Sequence, residues 1–571
     1  MIEKMTRYDF ILLSGQKEEF IRELGTLGVM DITRSAKPVD AKSDALLSEL
    51  EAVRAEIRRI SKGSDARLQE LKAERSDLAR DVDSLSHWGD YDKRKLESLG
   101  IPVHFYSVAD KRFDSSWADQ YPLEILDSAK GKTWFVVFGP AELPVAPLPA
   151  PSMSVGEAEV LLARKDAEIE EYRKQLEGLR STLPDLRARE SEISGELGRY
   201  LAGVGGESAA DGALTVFEGF APASEKERLA AAFDNMPCVW TSAEAVVEDN
   251  PPIKLKNNKF VRQFEMLTDM YGRPDYNEFD PTPYISVFFL LFFAMCMGDA
   301  GYGLLLIIGG ILLRKVESMK NLAPLVTILG VGTFVVGIVM HTFFGVDISA
   351  LPWIPGWLKA VMVTGKIGGF EAQMVLALII GVVHLCLAMV VKTVYATRNK
   401  GFLGSLGVWG WTLLIVGGVV VGALALFSLL PSEVIKWIII GLGIVSALGI
   451  FLFNDITRNP LKNIGSGLWE TYNTVTGLLG DVLSYLRLYA LGLAGGMLGK
   501  AFNDIASMTL GDGSFGIGWF AFVLILVIGH ALNLAMCCLG AFVHPLRLNF
   551  LEFFKNSGYI GKGRAYSPLQ K

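Results

Sequence analysis

Arg487 lies in the middle of an apolar stretch, Gly477-Leu-Leu-Gly-Asp-Val-Leu-Ser-Tyr-Leu-Arg-Leu-Tyr-Ala-Leu-Gly-Leu-Ala-Gly-Gly-Met-Leu-Gly499, and the next basic residue is Lys500. A guanidinium keeps its proton at any physiological pH, and hydrocarbon penalises it unless water or an acid offsets the charge. Such a cation can hold a nearby carboxylate in its ionised form. At roughly 100° per residue, Gly480, Ser484, Ala494 and Gly495 fall within about one quadrant of Arg487. This predicts a groove through which another helix can approach the charge. The bland alternative is a structural cation paired with Asp481, but six residues put Asp481 about 120° away around the helix.

Other polar residues stand in similar surroundings. Arg547 sits near the end of a later apolar run, where it either faces an ion path or snorkels to the interface. Asp299, in Gly298-Asp-Ala-Gly-Tyr-Gly303, reads as a turn or helix N-cap residue in preference to an ion ligand. Glu470, Asp481, Ser484, His530, Asn533 and His544 are candidate half-channel or structural polar residues. His341, His384 and His530 each read as core histidines with satisfied ring nitrogens, and His544-Pro545 as a kink in the last helix. Lys392 and Lys500 read as interface anchors. The five cysteines form no CxxC pair, so neither a disulfide framework nor a metal site is expected. No phosphate loop or nucleophile–base pair is visible, and no cofactor is expected.

The elements that carry these residues divide the chain in two. Of 571 residues half are hydrophobic and one fifth charged. Residues 1–265 hold most of the charge, whereas residues 284–550 run in apolar segments of bilayer-spanning length. A net charge of −7 gives no nucleic-acid footprint. The start lacks the apolar core of a secretory signal, so the charged half is expected in the cytoplasm.

Heptad spacing marks two runs in that half. One passes through Leu46, Leu50, Val53, Ile57, Ile60, Leu68, Leu71 and Leu78, slipping around Lys62-Gly63-Ser64. The other passes through Ile169, Tyr172, Leu176, Leu179, Leu183, Leu186, Ile193 and Leu197, with a kink expected at Pro184. Each apolar seam needs a partner, so an antiparallel coiled-coil arm is predicted over residues 36–97 and 152–205. A distal lobe (98–151) carries strands at Ile101–Val108 and Thr133–Phe138. A proximal α/β lobe (1–35 and 206–265) repeats a strand-helix-strand order.

Residues 266–571 form the predicted transmembrane domain. Candidate spans are Pro283–Arg314, Leu322–Phe344, Gln373–Val391, Leu406–Leu429, Val434–Phe453, Leu468–Phe502 and Ile517–Phe554. The connections holding Arg314, Lys315 and Lys320, then Lys392, Arg398 and Lys400, then Arg458 and Lys462, and the tail with Lys555 and Lys562, are the more basic set. By the positive-inside rule they face the cytoplasm. The first segment must then be a hairpin turning at Asp299, which gives eight spans with both termini cytoplasmic. Asp347 and Asp512 are expected outside, and Asn399 and Asn463 inside. The last two spans, of about 35 residues or about 50 Å each, exceed a core of about 30 Å and must tilt.

Four strings, Asp280-Pro-Thr-Pro-Tyr-Ile, Phe292-Phe-Ala-Met-Cys-Met-Gly-Asp-Ala-Gly-Tyr-Gly303, Ser484-Tyr-Leu-Arg-Leu-Tyr-Ala-Leu-Gly-Leu-Ala494 and His544-Pro-Leu-Arg-Leu-Asn-Phe-Leu-Glu-Phe-Phe554, resemble signatures of the a/I subunit of V-type and archaeal-type rotary ATPases. The resemblance implies a non-catalytic stator subunit in the cell membrane. It implies that Arg487 faces the carboxylates of a proteolipid c-ring and Arg547 supports it. Implied partners are that ring, peripheral stalk subunits of E/G type on the cytoplasmic lobes, the central-stalk and ATP-hydrolysing subunits, and membrane lipid. Eukaryotic members carry glutamates where this chain has Asn473 and Cys537, and a histidine where it has Gly495. A self-contained secondary transporter and a scaffold without an ion path remain open alternatives.

Overall fold

A computed structural model describes residues 1–34, 40–62, 66–89, 96, 98, 100–129, 131–141, 143–150, 153–316, 319–352, 354–452, 460–510 and 517–570. The slip at Gly63-Ser64, the basic Arg458 and the marker Asp512 lie outside the described residues. The chain divides into two compact units, Met1–Ser35 with Ala202–Lys571, and Ala36–Leu201.

In the first unit, strand β1 (Met5–Leu13), helix α1 (Lys17–Leu27) and β2 (Asp31–Ile32) share a sheet with β3 (Glu207–Ala209), β4 (Leu214–Pro222) and β5 (Val239–Glu244); α2 (Lys226–Phe233) precedes β5. The order is β2-β4-β1-β5 with β3 on β4. Every pairing is antiparallel, so the two strand-helix-strand repeats interleave, and Phe10 of β1 faces both Phe217 and Trp240. Alternation along β1 turns Tyr8, Phe10 and Leu12 inward, against Phe20 and Leu24 of α1 and Leu229 and Phe233 of α2. Helix α1 stops at Gly28, whose φ of 67° suits a residue without a Cβ.

The tail residues 560–569 return to this lobe. Ile560 N–H donates to Glu278 Oε1 (2.7 Å), Ala565 bridges Ile253, Ser567 N–H donates to Asp31 Oδ2 (2.8 Å) and Leu569 N–H donates to the Met30 carbonyl (2.8 Å). Leu569, 1% exposed, joins the lobe's core.

The second unit is built of helices Ala41–Lys62 and Ala66–Leu85, returned by Val155–Gly178 and Leu183–Val204. Leu68, Leu71, Ile169 and Leu176 are buried together with Tyr172 packed on them. Glu49 and Arg54 pair with Arg189 and Glu190, whereas Glu74 and Arg75, further along, pair with the earlier Lys165 and Asp166, so the two helical runs are antiparallel. A reciprocal Ser154–Glu157 capping box opens the return. Instead of kinking at Pro184, the return helix ends at Gly178 and passes through a 3-10 turn, Leu179–Thr182. Pro184 is then the second residue of the next helix, where its missing N–H breaks no intrahelical bond. The small lobe is a three-stranded antiparallel sheet in which Lys132–Phe138 is central between Val103–Ala109 and Leu123–Ala129. Leu123–Ala129 is an addition to the expected strands: it is mostly exposed and lacks an apolar alternation to announce it.

The apolar part of the first unit contains α3 (Thr282–Met297), α4 (Ala300–Leu313), α5 (Ala323–Val339), α6 (Ala372–Lys400), α7 (Leu406–Leu426, through a π turn at Leu413–Gly417), α8 (Ser432–Phe451), α9 (Pro460–Ser484), α10 (Leu486–Met508) and α11 (Ile517–Arg547). Among the described residues five stretches are long and apolar enough to cross a membrane: Ala372–Lys400, Leu403–Leu426, Ser432–Phe451, Asn463–Met508 and Gly518–Ser557. The chain is thus a multi-pass membrane protein. Helices α3, α4 and α5 are apolar but only 16, 14 and 17 residues long. Fourteen residues give about 21 Å, short of a core of about 30 Å. The break between α3 and α4 falls at Gly298, φ 58°, with Asp299 as N-cap of α4.

Candidate functional site

Tyr485 alone separates α9 from α10. Its N–H bonds Val482 O and its carbonyl accepts from Leu488, three residues each way, so the helix tightens there. The ring fills the space over Gly381 of α6, where a Cβ would lie 2.3 Å from Tyr485 Cγ. One turn on, His384 Nδ1 lies 2.9 Å from Tyr485 Oη. His384 in turn stacks on Phe553 with ring centroids 4.8 Å apart. Its Nε2 is buried without a partner, so it departs from the satisfied core histidine expected. Arg487 follows two residues after this pinned tyrosine.

Arg487 is half-buried, and its Nη1 is buried with no hydrogen-bond partner among the described residues. Asp481 is engaged elsewhere: Lys555 Nζ lies 3.3 Å from its carboxylate and Asn556 Nδ2 donates to it at 2.8 Å. Cys296 and His544 lie within electrostatic reach of Arg487, and His544 also of Arg547. Three of the residues singled out from the sequence are therefore neighbours. Ser484 donates to Gly480 O (3.0 Å) and lies against Glu552, a buried carboxylate also near Asp481 and Arg547. Glu552 Oε2, His544 Nδ1 and Asn549 Oδ1 join Arg487 Nη1 as buried polar atoms without a partner among the described residues. Pro545 stays within α11, and the kink expected there takes the form of a π turn, Leu548–Phe553, that follows it.

Two cavities with polar groups in their walls flank Arg487 along α9 and α10. One, of about 260 Å³, is lined by Lys392, Glu470, Asn473, Asp481, Lys555 and Asn556 among others. The other, of about 190 Å³, is lined by His341, Asp347, Gln373, Tyr489, Gly492 and Lys500 among others. The first set ends at Asp481 and the second begins at Tyr489. His341 is a wall residue here, with Nδ1 3.0 Å from Asp347 and Nε2 3.2 Å from Gln373.

His530 and Asn533 of α11 belong to one buried network. Tyr302 Oη lies 2.8 Å from His530 Nδ1 and accepts from Asn533 Nδ2 at 2.7 Å. His530 Nε2 lies 3.0 Å from Asn503 Oδ1, and Asn533 Nδ2 also reaches Gly495 O at 2.9 Å. Gly495 is buried against α11, since a Cβ there would meet Cys537 Sγ at 2.7 Å. It therefore lines no open groove, whereas Gly480 and Ala494 remain exposed. Asp299 lies apart: its carboxylate accepts from the N–H groups of Gly301, Tyr302, Phe344 and Gly345 at 2.7–3.2 Å. Those four donors occupy it as a cap and a loop tie.

Sequence reading passed over Tyr302, Tyr485, Asn503 and Glu552. Glu552 had a signal, as a lone acid in the run Phe550-Leu-Glu-Phe-Phe554. The tyrosines and Asn503 gain meaning only from partners 27 to 231 residues away. Among the described residues no cluster of His, Cys, Asp or Glu could hold a metal ion.

Residues 209–335 match the V-type ATPase 116kDa subunit family. An A-type ATP synthase subunit I of Methanocaldococcus jannaschii is 32% identical over 387 residues, covering 62% of this chain and 54% of that one. One of Pyrococcus horikoshii is 32% identical and covers 56% of this chain and 48% of its own. The chain thus spans about half the length of these relatives. A V-type ATP synthase subunit I of Borreliella burgdorferi aligns over 100% of both chains at 24% identity.

Proposed function

We propose that this chain, whose residues 209–335 match the V-type ATPase 116kDa subunit family, is the membrane stator subunit of a V/A-type rotary ATPase and forms the two ion half-channels against a proteolipid ring. The observation that carries this reading is an arginine whose buried Nη1 has no partner among the described residues, set between two cavities along α9 and α10. A rotor carboxylate must be neutral, protonated or sodium-bound, while it faces lipid, and Arg487 favours its ionised form by direct attraction. The ion leaves at the arginine. Because the guanidinium never loses its charge, it also repels cations and keeps the two cavities from becoming one leak.

The cavity with Glu470 and Asp481 serves the cytoplasmic side, and the one with His341, Asp347 and Lys500 the opposite side. Arg547, with His544 and Glu552, completes the charge pattern around the first. His530, Asn533 and Asp299 hold the second in shape. The antiparallel helical arm and its lobes take the peripheral stalks and resist the torque delivered by the central stalk and the ATP-hydrolysing subunits. No nucleotide chemistry falls to this chain.

Arg487→Ala in the assembled complex is the test. ATP-driven ion uptake into vesicles should fall to background while all subunits still co-purify. Uptake near the wild-type rate would leave a scaffold without an ion path. Purification of an active transporter without ring or ATPase subunits would leave a self-contained carrier.

A further inference from the structure

A third cavity of about 580 Å³ lies between α3 and α5, away from the two that flank Arg487. It is lined by Phe260, Val287, Leu291, Thr327, Val331 and Val335 among others. Thr327, its one polar lining side chain of these, donates to Ala323 O (2.8 Å) and so offers its hydroxyl proton to nothing in the groove. Val287, Val331 and Val335 are exposed at 48–56%. From Thr327 to Val336 the groove follows α5 for about 14 Å at 1.5 Å per residue. That length and lack of polarity suit an extended hydrocarbon chain.

Charged residues neighbour one lining residue of the groove in the chain. Phe260 is that residue, and Lys259 and Arg262, exposed beside it, make no ion pair among the described residues. The short turn Val261–Phe264 rests on α3 and α5, the two helices that wall the groove, which keeps these cations near it. Lys320, also exposed, lies on the chain that enters α5. Basic residues at a membrane surface each favour an anionic headgroup by about 1 kcal/mol.

We propose that this groove binds an anionic phospholipid, with one acyl chain between α3 and α5 and the phosphate on Lys259 and Arg262. A protein helix is the other conceivable occupant. It would leave the two cations without a counter-charge unless it brought an acid, whereas a phospholipid supplies chain and anion together.

The test uses the intact complex in vesicles containing phosphatidylglycerol with a photoactivatable acyl chain, followed by peptide mapping. Label should concentrate in residues 287–294 and 327–336. Lys259→Gln with Arg262→Gln should cut that labelling at least tenfold, since two lost charges correspond to about 2 kcal/mol. A phosphatidylcholine probe of the same chain should label the segments about as weakly as the double variant. Val335→Trp, which fills the groove and keeps the cations, should also abolish label there; because the charge variants lie on the surface, they decide the matter if this one misfolds. Equal labelling by both probes, or label indifferent to the two cations, would reduce the groove to ordinary bulk-lipid surface and overturn the proposal. Wild-type segments protected from both probes and crosslinked to another subunit would overturn it too.

Discussion

Arg487 and Arg547 differ in what surrounds them, and the difference separates their replacements. Arg487 has a buried Nη1 and no acid of its own, whereas Arg547 is exposed at the end of α11. Lysine keeps the charge but concentrates it in a compact, strongly hydrated ammonium that loses its proton more readily in a dry site. Arg487→Lys should therefore nearly abolish ATP-driven pumping in an assembled complex, and Arg547→Lys should retain most of it. Equal rates for the two variants in reconstituted vesicles would contradict the distinction. Asn533→Ala should cost about 1–3 kcal/mol in thermal unfolding, because it strips a donor from both Tyr302 Oη and the Gly495 carbonyl. Arg487 was legible in the sequence because its bland alternative, a pair with Asp481, would have to reach about 120° around the helix. Asp481 was less so, since the residues that occupy it, Lys555 and Asn556, lie 74 and 75 positions away.

At the scale of elements, the contact between α6 and the α9–α10 joint fixes where Arg487 sits. Gly381→Ala pushes a methyl into the Tyr485 ring. Overpacking of this kind costs about 1–3 kcal/mol. The variant should lower the thermal stability of the purified complex and reduce pumping without touching any charged group. Tyr485→Phe removes only the bond to His384 and should be milder on stability, so a larger loss from Phe than from Ala would sink this account. Helices were readable here from length and apolarity, and the α3–α4 turn from its Gly-Asp pair. The tightened turn at Tyr485 was not, because it depends on a glycine about 100 residues earlier. The interleaved sheet escaped for a similar reason: each strand-helix-strand repeat announces itself, but nothing local tells β1 to insert between β4 and β5.

For the whole molecule, the predicted topology makes Asp347 and Asn399 report opposite sides. Single cysteines placed there in an otherwise cysteine-free chain should react with an impermeant maleimide from outside and inside respectively. Labelling of both from one side would overturn the eight-span reading, in which the three short helices α3 to α5 each count as a crossing. Residues 36–205, expressed alone, should be soluble and highly helical by circular dichroism, since Leu68, Leu71, Ile169 and Leu176 of the seam all lie within that unit. A random-coil spectrum would refute that independence.

The returning tail also orders events in time. The lobe opened by residues 5–32 receives its last core side chain from Leu569, and Asp31 its backbone donor from Ser567. Burial raises the Asp31 carboxyl above its ordinary value, opposed by that N–H and by Arg564 and Arg34. Its neutral form therefore favours the docked tail; the benefit is complete below the unfolded carboxyl value and disappears as pH rises through the raised one. Asp31→Asn should keep the tail protected from carboxypeptidase at pH 8 better than the wild type, with the gap closing near pH 4. A ribosome making this chain emits the first strand hundreds of residues before the segment that seals it, so the lobe waits, incomplete, until every apolar helix has been delivered to the bilayer. A chain clipped before residue 563 lacks both Leu569 and the Ser567 donor and is left with that core unsealed.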